Sequence, residues 1–347
     1  MSALIKEGKM CFSVFGRGYD DVRADSGEGA VEDFDRYAMG ISYAVFDSTN
    51  QYVWLGCYGN GHTKGLLKYE IETFEEVSHT VPTTANEIDG LFHASNIDNN
   101  LGLVVQGSNW WVFDLTDDSV IANGSDANLP TYIQWSSSGN DCVLDGTTFK
   151  ITNWSNGQYY IYSVILDYSD GSVTYTTIGT NRGAGAFVTK DIVYMNYPTT
   201  WFYQNRVIEG VSPTGVQVWS RQAPEGGIYG FANISLNGFG QKGLLYVPTF
   251  IYASWRMGEY RGTSTPDFET PKPLRVFGKF ESEPKILKFA RSNNQKRVAF
   301  TTDIGLFYSD YEELEKISED SDKVLAINDN YIIASQSSFY IKVIKYR

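Results

Sequence analysis

One unit constrains this chain more than any total does. Leu103–Ile121, LVVQGSNWWVFDLTDDSVI, reads as three short strands joined by two tight turns. Leu103–Gln106 is an apolar run, and Gly107-Ser108-Asn109 turns the chain. Trp110–Leu115 is an aromatic strand, Thr116-Asp117-Asp118 turns it again, and Ser119–Ile121 leaves on a third strand. A unit of this size hides only one face by itself, so it must stack on copies of itself.

The copies are present. Tyr43–Phe46 and Tyr52–Gly56 flank the polar turn Asp47-Ser48-Thr49-Asn50, and Gly65–Ile71 and Glu75–Val77 follow. Leu91–Ala94 and Leu101–Gln106 open the next copy. Tyr132–Trp135, Cys142–Leu144, Tyr159–Tyr168 and Ser172–Ile178 form a third, and Ala186–Val188 to Val216–Trp219 a fourth. Gly230–Leu236 and Gly243–Phe250 begin a fifth, which a long insertion, Tyr252–Leu274, separates from Arg275–Phe280. Ile286–Ala290 to Leu314–Ile317 is a sixth, and Val324–Ile327, Tyr331–Ser335 and Phe339–Ile344 end the chain. Corresponding strands recur roughly every 40 to 55 residues, the spacing of sheet-per-repeat arrays rather than helical solenoids. No stretch sustains a helical period.

In period and pattern the chain, from about Met10 to Arg347, resembles the β-propeller superfamily. The Gly-His and Trp-Asp signature of WD40 repeats, the paired glycines of kelch repeats and the Asp box of sialidases are not found. The resemblance implies one all-β domain over residues 1–347, a β-propeller of seven four-stranded antiparallel blades. The irregular fifth copy leaves six or eight open. The last copy has three strands and Met10–Phe15 is an orphan, so residues 10–15 are expected to close the C-terminal blade and remove an edge. Residues 16–40 are an acidic, Gly-rich loop, 41–347 the repeats, and 252–274 the insertion loop.

Composition narrows the function classes. Aromatic residues make up 15% of the chain, which suits pleated, half-buried strands. The net charge of −13, without a basic block, argues against nucleic-acid binding. No apolar run is long enough for a spanning helix, and the N-terminus lacks the apolar core of a secretory signal. Production in the cytoplasm is expected, with no membrane insertion. Cys11, Cys57 and Cys142 are odd in number and widely spaced, which fits buried thiols.

Catalytic sets are not legible. His62, His79 and His93 are the histidines, and none stands beside a visible nucleophile and acid. Asp117-Asp118 and Glu312-Glu313 read as turn chemistry. Asp21 to Glu32 and Asn96-x-Asp98-x-Asn100 resemble calcium loops but lack the required glycine. No catalytic residue, metal or cofactor is assigned.

Large aromatics near strand ends and links are the better signal, because each ring offers a flat apolar face beside polar neighbours. The candidate binding residues are Trp154, Tyr159, Trp201, Tyr203, Trp255, Arg256, Tyr260 and Arg261, the last four in the insertion. For Trp110, Trp111, Trp135 and Trp219, wedging between blades is the expected role. The function these features imply is a non-enzymatic interaction module with protein partners, including other copies of itself, in a larger assembly. A phage tail or baseplate component of a virion is the example that fits by analogy. The alternative is a carbohydrate-binding propeller, a receptor-binding lectin or a glycosidase-like protein, with Trp154, Trp201 and Trp255 stacking on sugars.

Overall fold

Alternation of large apolar side chains with turn residues produces strands and almost nothing else. The computed structural model describes residues 3–6, 9–15, 40–58, 65–83, 87–94, 99–129, 141–155, 160–180, 186–188, 193–198, 206–211, 217–222, 244–251, 254–261, 275–281, 286–292, 296–310, 313–318, 323–337 and 340–345.

The chain opens on a hairpin of β1 (Ala3–Lys6) and β2 (Lys9–Phe15). Antiparallel meanders follow. The first is β3 (Gly40–Phe46), β4 (Tyr52–Tyr58), β5 (Leu66–Glu70) and β6 (Glu76–Val77). The second is β7 (Gly90–His93), β8 (Leu101–Gln106), β9 (Asn109–Asp114) and β10 (Val120–Ser125). The third is β11 (Asp141–Asp145), β12 (Thr148–Ser155), β13 (Tyr160–Asp167) and β14 (Ser172–Thr180). The fourth is β15 (Ala186–Val188), β16 (Val193–Pro198), β17 (Arg206–Val211) and β18 (Gln217–Gln222). The fifth has three described strands, β19 (Leu244–Ile251), β20 (Ser254–Arg261) and β21 (Arg275–Phe280). The sixth is β22 (Ile286–Arg291), β23 (Val298–Thr302), β24 (Gly305–Ser309) and β25 (Leu314–Ser318). The last three strands are β26 (Lys323–Ile327), β27 (Tyr331–Ser337) and β28 (Tyr340–Lys345). There β28 pairs with β2, from Met10 opposite Lys345 to Phe15 opposite Tyr340.

The described strands thus fall into seven sheets. Where neighbours are described, the first strand of one sheet lies beside the first of the next: β3 by β7, β7 by β11, β22 by β26, and β26 by β3. This is the propeller arrangement. Both faces of the first two sheets are covered, so their inner strands read as nearly continuous apolar runs. In β4, Val53, Leu55 and Cys57 pack with Tyr331, Ile333 and Val343 of the last sheet. Trp54, pointing the other way, packs with Val104, Phe113 and Leu115 of the second. Beyond it, Phe92, Leu103, Val105 and Trp110 meet Leu144, Phe149 and Ile151. Period-two alternation therefore serves two neighbours at once.

Three local expectations change. Residues 252–274 are not a loop throughout, because Ser254–Arg261 is a strand paired with β19 on one side and β21 on the other. Arg256, Glu259 and Arg261 interrupt its hydrophobicity, which disguises it. Thr148–Ser155, for which no strand is expected, is the second strand of its sheet, and Cys142–Leu144 belongs to the first. The sheet containing the C-terminus has five strands, not four, because β1 adds outside β2. Residues 16–39 and 262–274 lie outside the described residues.

Gly305 closes the β23–β24 turn at φ +134°, where a Cβ would stand 2.3 Å from the Ser318 carbonyl oxygen. Both the backbone conformation and the backbone contact exclude a side chain. Gly305→Ala is expected to cost about 2–4 kcal/mol, read as a lower denaturant midpoint.

Candidate interaction surface

In an antiparallel meander the first and third turns leave from the same end. At that end the first two sheets are tied together by polar side chains. Lys68 follows two leucines in the strand LLKYE and is almost fully buried. Its Nζ donates to Asp118 Oδ1 at 2.6 Å and to the Thr116 carbonyl at 2.7 Å. The Tyr52 ring lies beneath it, 4.0 Å from Nζ. Asp118 reaches this position with φ +67°, a conformation that a short carboxylate tolerates.

Beside the pair, buried Asp47 accepts hydrogen bonds from the Tyr52 N–H at 2.8 Å and the Thr116 hydroxyl at 3.0 Å, and also from the Thr49 hydroxyl. Asn100 donates to Asp114 at 2.7 Å and to Thr116 Oγ1 at 2.9 Å, while its own carbonyl accepts the Ser48 N–H at 2.9 Å. A related pin joins the sixth and last sheets, where Arg297 donates to Asp329 at 3.0 Å. Buried charge here is paired and hydrogen-bonded, as a low-dielectric site requires.

The histidines are likewise occupied. His79 Nε2 meets the Leu66 carbonyl at 3.0 Å, and His93 Nδ1 meets the Leu101 carbonyl at 3.0 Å. His62 lies outside the described residues. Among the described residues no group of three or more His, Cys, Asp or Glu is placed to hold a metal ion. Cys57 and Cys142 are buried thiols, and burial, with Glu76 adding to it, pushes the Cys57 thiol up to about 12. Cys57 is therefore expected to resist thiol reagents at pH 8 in the folded protein and to react once the protein is unfolded, a difference that timed labelling reads directly.

Several carboxylates remain exposed at this end. Glu72 and Glu75 in one third turn, Asp117 in the next, Asp170 in the next and Glu313 in the sixth sheet all face solvent. Asp117 accepts the Ser119 N–H at 2.9 Å, and the hydrogen bonds from Ser119 hold its carboxyl below the usual range. Ser169 acts on Asp167 in the same way. Asp117 is a turn carboxylate, as the sequence implies, and Asp167 plays the same part in its own turn. Asp118 is the exception, a buried partner of Lys68 that the Asp-Asp dipeptide does not announce. The one signal for it is a lysine that follows two leucines in a strand.

The described backbone places the aromatic and arginine candidates on two strands. Trp154 is in β12, its backbone opposite Ile161, and Trp255 is in β20, opposite Phe250 and Phe280. Tyr260 and Arg261 are in β20, opposite Leu245 and Leu244. Arg256 is engaged locally, donating to Ser254 Oγ at 3.0 Å and to the Gly278 carbonyl at 3.2 Å, so it braces β20 against β21. Tyr159, Trp201 and Tyr203 lie outside the described residues. Trp110 is fully buried between the second and third sheets, the wedging role expected of it.

The feature that sequence reasoning passed over is an exposed apolar pair on the outer strand β10. Val120 and Ile121 are the large apolar side chains left exposed among the described residues, at 37% and 50%.

No protein-family model matches the chain, and no curated protein matches it. Among solved structures it is similar to the β-propeller domain of Cps50 (Swd1) from Myceliophteria thermophila, at 11% identity and a TM-score of 0.51, over 89% of this chain and 97% of that one. Hydrazine synthase from Kuenenia stuttgartiensis follows at 10% identity and a TM-score of 0.49, over 82% of this chain and 80% of that one. Hsv2 from Kluyveromyces lactis gives 9% identity and a TM-score of 0.47, over 85% and 89%. At such identities a likeness speaks for architecture, and the first of these, with the sheets above, makes the chain a β-propeller.

Proposed function

We propose that this protein is a non-enzymatic propeller that binds protein partners within a larger assembly. One observation carries the reading. Among the described residues, Lys68–Asp118 and Arg297–Asp329 pin sheet to sheet, while acidic turn carboxylates and an uncharged strand edge face outward. Such a scaffold offers surface rather than reacting groups. By analogy, a phage tail or baseplate component is the assembly that suits it. Glycans are the ligands of the alternative reading, which rests on Trp154, Trp201 and Trp255, and the described side chains add nothing to it.

Cross-linking of the native protein in its source lysate, followed by light scattering of the purified species, tests the proposal. The expected result is a complex of fixed stoichiometry. A protein that stays uncomplexed while oligosaccharides quench its tryptophan fluorescence would replace this reading with the glycan one. Deletion of 262–274, between β20 and β21, is expected to weaken partner binding and leave the β-rich circular dichroism intact. A longer deletion into 254–261 would remove the middle strand of a sheet and could not be interpreted.

A further inference from the structure

The outer strands of a propeller differ in how far they discourage pairing. β6 has only two residues, and β25 exposes Glu315 and Lys316. On β14 the exposed positions are Ser172, Thr174 and Thr177. Short length, charge and polar faces all blunt an edge. β10, Val-Ile-Ala-Asn-Gly-Ser, has six residues, no charge and no proline. It ends its sheet, with no described strand beyond it.

A bulge gives this edge its apolar character. Val120 lies opposite Phe113 and Ala122 opposite Val112, so Ile121 is an extra residue, and it and Val120 both turn to solvent. Ala122–Ser125 then continue in regular register with β9. Gly124 lies directly over the Trp110 ring, where a Cβ would stand 2.4 Å from Cζ2, so the strand is seated close against the core. The result is a short regular ladder beside an aliphatic pair.

Both ends of the strand are acidic. Asp117 is exposed just before it, and Asp126 follows it, its carboxylate accepting the Asn128 N–H at 2.8 Å. Six residues span about 20 Å, so the two carboxylates mark the ends of a strand-length footprint. A second copy of this chain would bring acid to acid at a net charge of −13 on each partner. A basic-ended segment meets attraction instead.

We propose that the edge of β10 takes up an extended segment of a protein partner, about six residues long, with aliphatic residues in its centre and Lys or Arg at its ends. The segment pairs with Ala122–Ser125 through the backbone, covers Val120 and Ile121, and sets its cations against Asp117 and Asp126. This deepens the interaction reading above and rests on it.

The probe is a dye-labelled, end-blocked octapeptide, Lys-Thr-Val-Thr-Val-Thr-Val-Lys, with a control in which glutamate replaces both lysines. Anisotropy is expected to give a dissociation constant of roughly 10–100 µM for the first and at least about tenfold weaker binding for the second. Raising the salt should weaken binding, and amides of residues 122–125 should gain protection from hydrogen exchange. The exposed double variant Val120→Thr/Ile121→Thr keeps β-branched residues and should lose about fivefold to tenfold. Equal binding by that variant, equal binding of the glutamate peptide, or no protection of 122–125 would overturn the proposal. So would concentration-dependent self-association that the double variant removes, which would give the edge to a second copy. A partner captured by cross-linking whose affinity ignores the double variant would leave the interaction reading standing and remove β10 from it.

Discussion

Asp118→Asn is expected to destabilise the protein by about 3–5 kcal/mol. Asparagine keeps the size of the side chain and tolerates the positive φ of this residue, so the change isolates the charge. Lys68 would then hold its ammonium almost out of water with the Thr116 carbonyl and the Tyr52 ring but no carboxylate bonded to it. Adding Lys68→Met should restore the larger part of the loss, because removing both charges removes the desolvation cost along with the attraction. Guanidinium titration of the two single variants and the double variant measures this coupling. A single-variant loss below about 1 kcal/mol, the range of exposed ion pairs, would mean that water reaches the pair.

Trp54→Ala should cost as much or more. Trp54 is fully buried on β4, and its indole nitrogen donates to the Leu115 carbonyl at 2.7 Å across the boundary between sheets. Its ring stands edge-on to Phe113, 4.8 Å between centroids. Removing the ring leaves a cavity costing about 3–5 kcal/mol and an unpaired buried carbonyl costing about 1–3 more. Trp54→Phe keeps most of the packing and gives up the hydrogen bond, so its loss should approach the carbonyl's share alone. Thermal unfolding of the two variants separates the terms. Near-equal midpoints for the phenylalanine and alanine variants would assign the stabilisation to the hydrogen bond rather than the packing.

Both sites lie where sheets meet, and that is where the sequence stops being readable. The apolar run Leu103–Gln106, the aromatic run Trp110–Leu115 and the turn residues between them announce strands and their period, because strand propensity and turn geometry are local. For the same reason Asp117 is legible as a turn carboxylate. The strand at Ser254–Arg261 is hidden because hydrophobicity was its only local signal and three charged residues diluted it. The aromatic candidates were chosen for ring type and for position near turns. Arg256 proved to be a brace between strands, since a guanidinium finds whatever carbonyl its neighbour strand presents.

The sequence by itself determined that this chain is a string of short antiparallel strands at blade spacing, acidic at its turns. These properties depend on residues within a few positions of one another. Tertiary structure alone decided that Lys68 would find Asp118 fifty residues on and that Thr116 would reach Asp47. It alone decided that a bulge would turn Val120 and Ile121 together toward solvent. Partners across a sheet boundary are set by how whole sheets stack, and no spacing along the chain encodes that.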